Sequence, residues 1–122
     1  MPLILVIDDE EPIRRLLKRV LEKGGYEVVT AADGDEGMRR YRERPADLVI
    51  TDLIMPGKEG IETIMELRKG DPGVKIIAMS GGGRLDPEGL LQAAGSLGAA
   101  RTLGKPIERE ILLGAVGDLL GP

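Results

Sequence analysis

The chain reads as an α/β domain, one parallel sheet of five strands covered by helices on both faces, and three observations predict it. Short apolar runs alternate with segments of helical periodicity along the whole sequence. The clearest run, Leu3–Ile7 (LILVI), is apolar throughout rather than at every second residue, which suits a strand buried on both faces. The connections are short, so neighbouring parallel strands need right-handed crossovers that lay the helices on the sheet faces. A closed barrel would need eight such units.

Each element follows from local pattern. After Leu3–Ile7, residues Ile13, Leu16, Leu17, Val20 and Leu21 recur at helical spacing, with Pro12 suited to a first helical turn and Gly24-Gly25 as the stop. Tyr26–Thr30 is the second strand, Glu36–Arg44 a helix, Asp47–Thr51 the third strand and Glu59–Lys69 a helix. Val74–Met79 makes the fourth strand. A Gly81-Gly82-Gly83 loop then leads to a helix from Pro87 to about Ser96. Ala100–Leu103 is a short fifth strand. Ile107–Leu120 closes the series as a helix with Ile111, Leu112, Ala115, Val116, Leu119 and Leu120 inward, although Gly114 and Gly117 each weaken it by roughly 1 kcal/mol relative to Ala.

Composition narrows the chemistry. The length of 122 residues suits a single domain over residues 1–122 with no effector domain attached. With neither Cys nor His, the chain has no disulfide framework, thiolate site, Ser-His-Asp triad, histidine-bound metal or phosphohistidine. Catalysis or binding must rest on carboxylates, Lys, Arg and hydroxyls. The net charge of −4 argues against a broad grip on nucleic acid, and the five-residue apolar start is too short for a signal peptide or membrane span, so a cytoplasmic protein is expected.

Open sheets of this kind bind ligands beyond the carboxyl ends of their strands. The residues just past those ends are Asp8 and Asp9 after the first strand, Asp52 after the third, Ser80 after the fourth and Lys105 after the fifth. Converging carboxylates repel unless protonated or joined by a cation, and an all-oxygen site suits Mg2+, with Mn2+ as an alternative. Lys105 adds a mobile positive charge for an anionic group. Together these groups describe phosphoryl transfer, where positioning and charge neutralisation carry most of the catalysis.

The acidic pair, Asp52 within DLIMPGKEG, Ser80 and Lys105-Pro106 resemble the receiver domains of two-component response regulators over essentially the whole chain. The resemblance implies a doubly wound, flavodoxin-like three-layer α/β/α fold with strand order 2-1-3-4-5. It implies Asp52 as phosphoacceptor, with Asp9, Asp52 and the backbone carbonyl of Ile54 as direct Mg2+ ligands and Asp8 as a ligand through water. Ser80 and Lys105 would contact the phosphoryl oxygens, and the Lys105–Pro106 bond would be cis. The implied activity is a phosphoacceptor switch rather than an enzyme. Its partners would be a histidine kinase or phosphotransfer protein and an unidentified output protein, with phosphorylation-dependent dimerisation one route to output. Two departures stand out. The stretch from Ser80 to Lys105 is a few residues longer than the common pattern, and Thr102 stands where many relatives carry a switch aromatic, so signalling is expected to run through Ser80 and the glycine loop.

Taken singly, these residues have plainer readings. Asp8-Asp9 could cap a helix, Asp52 could be a turn residue, Ser80 could belong to a flexible loop and Lys105 could be solvated. What sets those readings aside is that each residue falls at the same end of a different strand. The triple glycine does not follow the first strand, as a dinucleotide-binding loop would; that place holds DDEEP. A dehalogenase-like phosphatase would carry a second Asp two residues after its nucleophile, where this chain has Glu10. A degenerate receiver that binds partners without being phosphorylated would not need the full acidic set.

Overall fold

The structure is a computed structural model and describes residues 1–53, 60–80 and 98–121. Strands β1 (Leu3–Ile7), β2 (Glu27–Ala31), β3 (Leu48–Asp52), β4 (Ile76–Ser80) and β5 (Arg101–Gly104) form one sheet in the order β2-β1-β3-β4-β5, every pair parallel. Helices α1 (Glu11–Lys23), α2 (Gly34–Glu43), α3 (Gly60–Gly70) and α4 (Arg109–Leu120) accompany it. The expected strand order is therefore the observed one. The helix expected over 87–96 and the Gly81-Gly82-Gly83 loop lie outside the described residues.

Alternation along the strands builds two cores. In β1, Leu3, Leu5 and Ile7 face one side with Val49, Ile76 and Ala78, against Met38 and Tyr41 of α2 and Ile64 and Leu67 of α3. Ile4 and Val6 face the other with Ile50, Ile77 and Met79, against Leu17 and Leu21 of α1 and Leu112, Ala115 and Val116 of α4. Burial on both faces explains why LILVI carries no polar alternation. Fully burying one such side chain contributes about 1.5–3 kcal/mol, so these two layers dominate the stability of the sheet.

Helix ends account for several shifted boundaries. The second helix starts two residues earlier than expected because Asp33 caps it: its Oδ1 accepts the Glu36 N–H at 2.8 Å, while Glu36 Oε1 accepts the Ala32 N–H at 2.6 Å. α1 has Pro12 in its first turn and stops at Gly24, and Gly25 follows at φ +96°, a left-handed conformation that glycine adopts without strain. α4 starts at Arg109 rather than Ile107. Strands β3 and β4 each extend one residue further, so Asp52 and Ser80 are the last strand residues rather than the first loop residues. Parallel register carries them there, with Asp52 opposite Met79 and Ser80 opposite Gly104.

Tyr41 ties α2 to the turn after α3: its hydroxyl donates to Asp71 Oδ2 at 2.6 Å. Burial, with the hydrogen bond to Asp71 and its charge, pushes the phenol pKa well above its ordinary value. Tyr41→Phe should destabilise the fold by about 1 kcal/mol, read as a lower urea midpoint at unchanged m. Because the folded phenol holds its proton more tightly, that margin is full below the free value of about 10 and is lost as pH climbs through the folded one. An unchanged midpoint at neutral pH would show that the bond contributes nothing.

Candidate functional site

Asp8, Asp9, Asp52, Ser80 and Lys105 do meet at the carboxyl edge of the sheet, because β1, β3, β4 and β5 run parallel and end there. The end of β1 is anchored by the Asp8 N–H donating to the Ala31 carbonyl at 3.1 Å, and Arg14 Nη1 donates to the Asp8 carbonyl at 2.7 Å from the first turns of α1. Asp8 is fully buried; its Oδ1 accepts the Glu10 N–H at 2.9 Å and its Oδ2 accepts from Lys105 Nζ at 2.8 Å. Asp52 is buried too. Its Oδ1 accepts the Leu53 N–H at 2.9 Å, and its Oδ2 lies 3.3 Å from Lys105 Nζ. Lys105 is carried to this point by β5, and its own N–H donates to the Ser80 carbonyl at 2.7 Å. The Lys105–Pro106 peptide is cis, in agreement with the resemblance.

One ammonium therefore bridges two buried carboxylates that lie 44 residues apart in sequence. A lone buried carboxylate is costly, and a shared counter-ion is what permits two side by side. Burial raises the Asp52 pKa above the usual carboxylate value, the charge of Asp8 adds to the rise, and Lys105 offsets only part of it. Burial also works against the Lys105 ammonium, but the hydrogen bond to Asp8 and the charges of Asp52 and Asp8 outweigh it and hold that pKa above the usual lysine value. The two rises differ in leading cause: burial lifts Asp52, whereas the two neighbouring carboxylates lift Lys105 against burial.

A group whose pKa is raised on folding contributes stability below its unfolded pKa and loses that contribution as pH rises through the folded value. Without divalent cations, Asp52→Asn should therefore melt higher than wild type at pH 7, with the gap closing toward pH 4. Thermal melts in chelator across that range check this, and a variant less stable at pH 7 would contradict it.

Two polar atoms mark where a ligand would act. Asp9 Oδ1 and Ser80 Oγ are buried without a hydrogen-bond partner among the described residues. Buried polar atoms are ordinarily paired. Among the described residues, one group of carboxylates brings its oxygens within 4.8 Å of one another: Asp8, Asp9 and Glu10. An all-oxygen, anionic donor set with an unpaired buried oxygen fits a hard cation such as Mg2+. Asp52 connects to this group through the shared ammonium. Ile54, the expected source of a carbonyl ligand, lies outside the described residues. Glu10 is the one addition to the expected set, 3.6 Å from Lys105 Nζ, and its only signal in the sequence was that it continues the acidic pair. Thr102 lies exposed on β5.

Residues 4–117 match the response regulator receiver domain family. The chain is a receiver domain. In that family an aspartate is phosphorylated with Mg2+, and phosphorylation switches the domain in two-component signalling. The chain is 34% identical over 117 residues to sporulation initiation phosphotransferase F of Bacillus subtilis, covering 96% of this chain and 92% of that protein. It is 35% identical over 117 residues to the transcriptional regulatory protein GlrR of Escherichia coli, again covering 96% of this chain, but it spans only 26% of that regulator. The solved structure of response regulator TrrA from Thermotoga maritima, in complex with Mg2+ and BeF, superposes at a TM-score of 0.87 with 35% identity, covering 98% of this receiver and 99% of that chain. No helix among the described residues of this receiver is long and apolar enough to cross a membrane.

Proposed function

We propose that Asp52 accepts the phosphoryl group in this receiver, with Asp8 and Asp9 holding Mg2+ together with Asp52 and the carbonyl of Ile54. The observation that carries the reading is the Lys105 ammonium held between Asp8 Oδ2 at 2.8 Å and Asp52 Oδ2 at 3.3 Å, beside Asp9 Oδ1 and Ser80 Oγ, which have no hydrogen-bond partner among the described residues. The donor is the phosphohistidine of a histidine kinase or phosphotransfer protein, which places the chain in the cytoplasm where such donors are charged by ATP.

In the transfer, a carboxylate oxygen of Asp52 forms a bond to phosphorus. The phosphorus–nitrogen bond of the donor breaks, and its electron pair stays on the imidazole. Lys105 faces Asp52 and neutralises the phosphoryl oxygens, while the Ser80 hydroxyl supplies a hydrogen bond to one of them. Mg2+ held by Asp8, Asp9 and Asp52 would supply further neutralisation of the transferring group's negative charge. The Leu53 N–H fixes the carboxylate so that it meets phosphorus without rotating. No separate substrate is turned over; the domain modifies itself, and an output protein reads the result.

Treating wild type with acetyl phosphate and following intact mass tests this. One phosphoryl group should be gained with Mg2+ and none in chelator, and hydroxylamine should remove it, since hydroxylamine cleaves acyl phosphates and leaves phosphoesters intact. A hydroxylamine-resistant adduct would move the modification from a carboxylate to a hydroxyl such as Ser80.

A further inference from the structure

Resting on that reading of the site, we propose that Glu10 is a positioning residue acting through Lys105: it receives the ammonium when a divalent cation takes the carboxylates of Asp8 and Asp52. Lys105 Nζ stands among three carboxylates, 2.8 Å from Asp8 Oδ2, 3.3 Å from Asp52 Oδ2 and 3.6 Å from Glu10 Oε1. Their side chains are 0%, 5% and 54% exposed, and that of Lys105 is 12% exposed. The three contacts thus grade from the interior toward solvent, within reach of one flexible four-carbon stem.

An ammonium and a hard divalent cation draw on the same oxygens, and two positive charges a few ångströms apart repel. The lysine gives way. With Glu10 present, the ammonium can leave the buried oxygens while staying paired and close to an anionic group arriving on Asp52. Without Glu10, the released ammonium has no outer carboxylate among the described residues. The Glu10 N–H donates to Asp8 Oδ1 at 2.9 Å, so the backbone of the outer carboxylate is tied to the inner one. The buried Asp9 Oδ1, without a hydrogen-bond partner among the described residues, independently marks this corner as the place where positive charge is needed.

Mg2+ titration followed by amide shifts, on the whole chain, tests the proposal. Glu10→Gln should weaken Mg2+ binding about two- to fivefold, the range of a half-exposed ion pair. In a Lys105→Met background the same change should have no effect, because the residue it acts through is gone. Equal weakening in both backgrounds would make Glu10 a partner of the ion itself, and no weakening in either would leave it without a role; both overturn the proposal. Since Lys105→Met leaves the buried Asp8 charge without its ammonium and can impair folding, the Lys105 ε-methylene signals provide a second readout. With Mg2+ bound they should stay dispersed in wild type and collapse toward free-lysine values in Glu10→Gln; identical signals in the two proteins would overturn the proposal as well. If wild type binds no Mg2+ at all, the site reading fails and takes this inference with it, whereas wild-type binding with an inert Glu10→Gln removes the inference alone.

Discussion

Asp52→Asn should gain no phosphoryl group under conditions that phosphorylate wild type fully. The amide keeps the size of the carboxylate and can still accept the Leu53 N–H, which donates at 2.9 Å in wild type, so the local fold survives. What it loses is the negative charge and the nucleophilic oxygen. The neighbours do not substitute. Both oxygens of Asp8 are engaged, by the Glu10 N–H and by Lys105, and the residue is fully buried. Asp9 and Glu10 stand just before α1, and Glu10 is half exposed. Ser80 is buried at the end of β4, with no hydrogen-bond partner among the described residues to take its proton. Intact mass after acetyl phosphate and Mg2+, wild type beside Asp52→Asn, gives the answer directly; a phosphoryl gain in the variant would place the acceptor elsewhere.

Gly60→Ala should be the most damaging of the small substitutions, destabilising the domain by about 3 kcal/mol or more, at or beyond the upper end for overpacking. Gly60 is the first residue of α3, and its N–H donates to the Leu53 carbonyl at 3.0 Å, drawing the helix start against the end of β3. A Cβ there would collide with the carbonyl oxygen of Asp52 and come within 2.6 Å of the Leu53 Cα. Both are backbone atoms, of Asp52 and Leu53, so no side-chain rotation relieves the contact. The cost falls on the site as well as on the fold. Denaturant midpoints measure the first effect and Mg2+ affinity the second. At Gly37, by contrast, an added Cβ meets side-chain atoms of the buried Ile7, Cδ1 and Cγ1 foremost, rather than backbone, and a smaller loss is expected. Equal stability of Gly60→Ala and wild type would show that α3 can withdraw from β3 freely.

Strand-helix alternation and the placement of charge were legible residue by residue because burial leaves a local imprint. LILVI has to be apolar on both faces, and Asp8, Asp52, Ser80 and Lys105 interrupt apolar runs where the strands leave the core. Element ends were less legible. Whether Asp52 closes β3 or opens the following loop depends on pairing with Met79, and the start of α2 depends on the Asp33 and Glu36 side chains folding back onto the backbone.

By itself, the sequence determined the fold class, the acidic edge and the exclusion of thiol and imidazole chemistry, since each depends only on which residues are present and how they are spaced. Tertiary structure alone decided which charges share a counter-ion. Lys105 reaches Asp8 across 97 residues and Asp52 across 53, a meeting set by the order β2-β1-β3-β4-β5 and invisible to any local window. It also decided that Glu10 comes within 3.6 Å of the Lys105 ammonium while lying half in solvent, and that Gly60 is needed for space beside Asp52 rather than for its backbone freedom. The physical reason is the same in each case: electrostatic and steric contacts act over a few ångströms between segments that only the folded sheet brings together.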